Sequence, residues 1–206
     1  MSSRETILKS IRSHLAASPP DDRSESVSSV TTIPVIDDPV ELFKQSLEAV
    51  NGHCVVVETE DELVQEVTRI SGKIAISDAP GLSRLFGVQP VENIFNYDVG
   101  ISTAQAAIAE TGTLVLDSAR ERHRLVSLVP PVHIAIVDAS SIFRTLGEAL
   151  AFIYQNGNIS PAVTFITGPS RTADIELTLA IGVHGPQELF VIVNKGLSLA
   201  RARAAN

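Results

Sequence analysis

From residue 39 onward, short apolar runs alternate with segments whose apolar residues recur at helical spacing. A strand that is apolar along its length must be covered on both faces, and an intervening helix carries the chain back for a parallel pairing. The alternation therefore predicts an α/β fold, a mostly parallel sheet flanked by helices. Pro39 can start a helix running through about Val50; His53–Glu58 reads as a strand, Glu60–Ile70 as a helix, Lys73–Ser77 as a strand and Pro80–Leu85 as a short helix. Residues 104–109 and 113–117 are apolar runs separated by Glu110-Thr111-Gly112, which predicts a hairpin or sharp bend. Glu121–Leu128 reads as helical, Val132–Val137 as a buried strand and Ser140–Gln155 as a helix, with Val163–Ile166 and Leu189–Val193 as the last two strands.

Ahead of this domain, Ile7, Leu8, Ile11 and Leu15 recur at helical spacing among Arg4, Lys9 and Arg12, so residues 3–17 form an amphipathic helix that docks on the main domain or on a partner. Residues 18–38 are rich in Ser, Pro and Asp and read as a flexible linker. The expected organisation is residues 1–38 as helix and linker, and 39–206 as the α/β domain. Residues 1–17 lack an apolar signal core and contain Glu5, so no secretory or transit peptide is expected. No apolar run approaches the roughly 18 residues of a membrane span. A cytoplasmic protein with no transmembrane segment is the expectation.

Charge and cysteine content narrow the chemistry. With Lys+Arg 16, Asp+Glu 24, a net charge of −8 and no Trp, the chain is poorly equipped to grip phosphate backbones or stack bases, and nucleic acid is not an expected partner. Cys54 is the single cysteine. One thiolate cannot by itself hold an iron–sulphur cluster or a structural zinc, so no such cofactor is expected in this chain. Its place before Val55-Val56-Val57 reads as a buried strand position.

The segment with the most site-like chemistry is Gly168-Pro169-Ser170-Arg171-Thr172, with Asp174, Glu176 and His184 close behind. Glycine admits a close backbone approach, Ser170 and Thr172 can donate hydrogen bonds, and Arg171 can clamp a carboxylate or phosphate. A helix opening at Ser170 or Thr172 would add free N–H groups to the same anion site. The plainer alternative is a turn and helix cap with Arg171 paired to Asp174. Because the loop follows the Val163–Ile166 strand, it is expected at the carboxyl edge of the parallel sheet, where ligands of open α/β sheets bind. It lacks a Gly-Lys-Ser/Thr ending, and no Gly-x-Gly-x-x-Gly follows a strand, which disfavours P-loop and dinucleotide modes.

Glu110-Thr111-Gly112-Thr113 is the second candidate: Glu110 as base or nucleophile at a strand end, Thr111, Gly112 and Thr113 as substrate contacts, or simply a solvated turn. His123, His133 and His184 show no zinc-type spacing; His133 reads as a core or edge residue, and His184 as a general acid/base or a turn-stabilising group. Among Arg120, Arg122 and Arg124, the last is closest to an apolar run and is the one that could turn inward toward an anion.

Taken in order, Ala109-Glu110-Thr111-Gly112-Thr113, Ser127-Leu128-Val129-Pro130 with His133-Ile134, Gly168 to Glu176, and Gly182-Val183-His184-Gly185-Pro186 resemble the LUD-domain family, within it the bacterial lactate-utilisation protein C group. The similarity runs from about Val99 to Val193, is weaker over 39–98 and only general in the N-terminal helix. The resemblance implies a fold like the sugar-phosphate isomerase, CoA-transferase and formyltetrahydrofolate cyclo-ligase superfamily. It also implies a role, with two companion proteins carrying iron–sulphur clusters, in oxidising L-lactate to pyruvate, this chain being the member without a cluster. The roles given to Glu110, His184, Arg171 and their neighbours rest on residue chemistry and not on the resemblance.

Three functions follow as expectations. The first is the non-iron–sulphur subunit of a lactate-oxidising system, whose loop holds a small carboxylate or phosphorylated ligand. The second is a stand-alone acyl-, CoA- or phosphate-handling enzyme with Glu110 as nucleophile. The third is a non-catalytic assembly or regulatory subunit.

Overall fold

The computed structural model describes residues 3–17, 36–70, 72, 74–76, 82, 85–86, 91, 93–118, 124–155, 160–172, 180–181 and 185–196. Two units are separable, Met1–Pro34 and Val35–Asn206. The first contributes helix α1 (Ser3–Ala17), in which Ile7 and Leu8 are exposed. Most of the expected linker, the Pro80–Leu85 helix apart from Leu82 and Leu85, and residues 121–123 lie outside the described residues.

In the second unit, helix α2 (Pro39–Ala49) begins at Asp38, whose side chain accepts from Val40 N–H, with Pro39 preset in the first turn. Strand β1 (His53–Val57) follows, then α3 (Glu60–Thr68), capped by Thr59 and opened by three consecutive acids that complement the helix dipole. Next come β2 (Ile74–Ile76), β3 (Val99–Thr103), β4 (Ala106–Ile108), β5 (Thr113–Asp117), β6 (Val132–Asp138) and β7 (Ile142–Phe143). Helix α4 (Leu146–Tyr154) precedes β8 (Val163–Thr167), β9 (Arg171–Thr172), β10 (Ala180–Ile181) and β11 (Glu188–Asn194).

Five strands form the parallel sheet in the order β1-β11-β6-β3-β2. One face carries Val57, Val99, Ile101, Ile134, Ile136 and Ile192 against Leu63 and Val67 of α3, and all are buried. The expectation of a mostly parallel sheet flanked by helices is met. A second sheet, β7-β4-β5-β8, is separate: β5 pairs antiparallel with both β4 and β8. The β4–β5 pairing is the predicted hairpin around Glu110-Thr111-Gly112.

Three sequence expectations need correction. Val163–Ile166 does not join the parallel sheet; β8 lies beside β5, and the loop after it meets Val50 and Pro186, which precede β1 and β11, so it lies toward the amino ends of those strands and not at the carboxyl edge. No helix opens at Ser170 or Thr172, because Arg171 and Thr172 are extended and pair antiparallel with Ile181 and Ala180. The helix read over Ser140–Gln155 starts only at Leu146. Ile142 and Phe143 are taken by β4, and Thr145 closes a reciprocal capping box with Glu148.

Candidate functional site

The segments singled out from the sequence converge on the last turn of α2. That helix ends in a paired motif: Asn51 N–H bonds Glu48 C=O at 3.0 Å and Gly52 N–H bonds Leu47 C=O at 2.9 Å, with Asn51 in the left-handed region at φ 65°. Gly112, at the tip of the β4–β5 hairpin, has φ 63°, and a side chain there would strike the backbone of Leu47. Gly168, just past β8, has φ 76°, and a Cβ would lie 2.6 Å from the Val50 carbonyl oxygen. Arg171 then donates from Nη2 to that same oxygen at 3.0 Å. Both loops are thus seated on one helix end.

Cross-strand register adds a hydroxyl chain. Thr113 of β5 faces Thr167 of β8, and their Oγ1 atoms are 2.7 Å apart; Thr111 Oγ1 is 2.7 Å from Thr113 Oγ1. Thr111, Thr167 and Arg171 are exposed while Thr113 is buried, so the chain dips inward at Thr113 and reaches the surface at both ends. A guanidinium has five N–H donors, and the bond to Val50 uses one group of them. The arrangement can therefore offer Arg171 and threonine hydroxyls to an anion.

Other predicted residues are held by contacts of their own. Glu110 Oε1 accepts from Leu146 N–H at 3.1 Å and Glu110 N–H bonds Arg144 C=O at 3.1 Å, so its carboxylate serves the first turn of α4. Ser170 N–H bonds Pro186 C=O at 2.8 Å, and Gly185 lies against the Ser170 side chain. Arg124 is exposed at the start of a 3-10 turn, Arg124–Ser127, which packs on β3 and β6. The inward-turned Arg124 read from the sequence is not observed: the turn buries Val126 and Ser127 and leaves Arg124 at the surface. Asp174, Glu176, His123 and His184 lie outside the described residues, and Thr172 is described by its backbone alone.

Sequence reasoning missed Thr167 and Val50, whose relevance depends on which strand meets which helix end. It also missed a set of polar residues at the carboxyl ends of the parallel strands. There Asn194 Nδ2 donates to Asp138 Oδ1 at 2.9 Å, and Gln105 donates to Thr103 C=O at 3.0 Å while accepting from Asp117 N–H. Asn194 and Gln105 are buried, and these bonds hold the strand ends together. Cys54 is buried on β1, and burial pushes its thiol up to about 12, so it offers no thiolate at neutral pH.

The LUD domain profile matches residues 88–193. The chain is 46% identical over 99 residues to an uncharacterised protein of Neisseria meningitidis serogroup B, covering 47% of this chain and 42% of that protein. It is 32% identical over 188 residues to the lactate utilization protein C of Geobacillus sp. WCH70, covering 76% of this chain and 78% of that protein. The first of these alignments spans less than half of the relative's length. A crystal structure of a DUF162 family protein from Deinococcus radiodurans superposes with a TM-score of 0.57 at 22% identity, covering 77% of this chain and 97% of that one, which shows a shared fold.

Proposed function

The chain belongs to the LUD-domain family, and from that premise we propose that it serves lactate utilisation as the subunit without an iron–sulphur cluster in a system oxidising L-lactate to pyruvate. The reading is supported by the relatives named lactate utilization protein C. For the site, the observation that carries it is the exposed Arg171 guanidinium, anchored at 3.0 Å to the Val50 carbonyl, on the helix end where the Thr111–Thr113–Thr167 hydroxyls also gather. A small carboxylate would pair with Arg171 and accept from threonine hydroxyls, with Ser170, Gly168 and Gly112 shaping the backbone around it.

Oxidising a 2-hydroxy acid to a 2-oxo acid removes the hydroxyl proton and a hydride equivalent from C2. The hydroxyl proton would pass to Glu110 or His184, and the hydride equivalent from C2, a second proton and two electrons, would leave to an acceptor in the companion proteins, whose clusters would take the electrons one at a time. The isolated chain should then oxidise lactate poorly, and turnover should appear when iron–sulphur companions are added. Robust dye-coupled oxidation by the chain alone would contradict this. Calorimetry with L-lactate and pyruvate tests the pocket. Arg171→Ala should weaken binding by about 1.5–3 kcal/mol, the range for a charge-assisted hydrogen bond. Unchanged affinity would remove Arg171 from the site.

One observation favours a second reading, a non-catalytic assembly subunit: Glu110 is bonded to the start of α4, and Arg171 to the end of α2. In that case the reconstituted system keeps its activity when Glu110→Ala and Arg171→Ala are introduced together. A labile acyl adduct on Glu110 after incubation with acyl-CoA would instead mark a stand-alone acyl-handling enzyme.

A further inference from the structure

Ser102 of β3 and His133 of β6 are inaccessible, at 0% and 1% exposure, and belong to neither the Arg171 region nor any step above. Ser102 Oγ lies 2.8 Å from His133 Nε2. Strand alternation puts both on the sheet face opposite the Ile101, Ile134 and Ile136 cluster. Gly100 stands directly across from His133, and Ala135 across from Ser102. The 3-10 turn Arg124–Ser127 lies on this face, with the Val126 carbonyl filling the place that a side chain on Gly100 would need.

Hydrogen counting gives the bond its direction. Nε2 is the hydrogen-bond partner of the Ser102 hydroxyl among the described residues, and a buried hydroxyl proton requires an acceptor. The hydroxyl donating, Nε2 is the bare ring nitrogen and the proton of the neutral imidazole sits on Nδ1. Nδ1 is buried and has no hydrogen-bond partner among the described residues. A buried donor without an acceptor is costly, and native structures resolve it with an internal water or a bound group.

We propose that His133 Nδ1–H donates into an internal site for one small oxygen acceptor, on the sheet face covered by the Arg124–Ser127 turn. The acceptor is a water molecule or a carboxylate oxygen of a small organic acid. Both satisfy the same N–H, and the Ser102 hydroxyl fixes the ring so that Nδ1, not Nε2, is offered.

The test uses the full chain labelled with 15N-histidine and long-range 1H–15N correlation at neutral pH, with His133→Gln identifying the His133 signals. The expected result is an Nδ1–H tautomer that persists as the major form in Ser102→Ala, because the acceptor still holds the proton on Nδ1. A cross-relaxation peak from Nδ1–H to the water signal identifies water. Movement of the Nδ1 resonance when acetate, L-lactate or pyruvate is added alone identifies a carboxylate. An Nε2–H tautomer in the wild-type chain overturns the proposal, as does a mixed tautomer in Ser102→Ala. An Nδ1 proton with neither a water contact nor a response to any of the acids also overturns it. The wild-type tautomer together with the water contact or acid response of its Nδ1–H decides even if Ser102→Ala fails to fold.

Discussion

Adding one methyl group should have opposite effects at Gly168 and Gly147, and the structure gives the size of each. At Gly168 the backbone is left-handed, φ 76°, which costs an alanine about 1–2 kcal/mol. The new Cβ would also sit 2.6 Å from the Val50 oxygen, which is backbone and is already bonded to Arg171, so the loop must move off the helix end. Together these put Gly168→Ala at a loss of about 2–4 kcal/mol. Gly147 lies exposed in the first turn of α4, and the nearest atom to its added Cβ is Thr145 Oγ1 at 4.0 Å. Alanine there meets nothing and reduces the freedom of the unfolded chain, so Gly147→Ala should gain about 0.5–1 kcal/mol. Urea unfolding followed by circular dichroism reads both, the midpoints moving apart at constant slope. Gly168→Asn separates the two terms: it tolerates the left-handed backbone but keeps the Cβ, and should fall between wild type and Gly168→Ala. A Gly168→Ala loss below about 0.5 kcal/mol would show that the loop is not seated on α2.

Burial lowers the His133 pKa from 6.5 to about 4, so the unfolded chain binds the extra proton first. Its contribution is complete above pH 6.5 and is lost as pH falls toward about 4, roughly 3 kcal/mol in all, and His133→Gln should flatten that part of the stability-against-pH curve. Thr145→Ala removes one half of the α4 capping box and should cost about 1 kcal/mol in the same unfolding assay. Leu63→Ala opens a cavity under α3, where the side chain is 0% exposed, and should cost about 2–5 kcal/mol.

Sequence periodicity located what is local and missed what depends on partners. Val132–Val137 and Leu189–Val193 read as buried strands because they are apolar without interruption, and both sit inside the parallel sheet. Strand β3, Val99–Thr103, was not legible: Gly100 and Ser102 alternate with Val99 and Ile101 and resemble a turn. Gly100 is there because the Val126 carbonyl of the Arg124–Ser127 turn fills the place of a side chain. Apolar content identified β8 as a strand but could not say which sheet it joins, and that choice moved the Gly168 loop. At the candidate site, the glycines, Arg171, Thr111 and Thr113 were visible as residue types. Thr167 and the end of α2 were not, since residues far apart in sequence meet only through the β5–β8 register.

The order β1-β11-β6 carries a consequence for biosynthesis. Strand β1 finds its hydrogen-bonding neighbour in β11, more than a hundred residues later in the chain. While the ribosome is still translating the segment before Glu188, β1 and β6 each present an open edge to their surroundings, and the nascent sheet cannot knit together until that late strand slides between them.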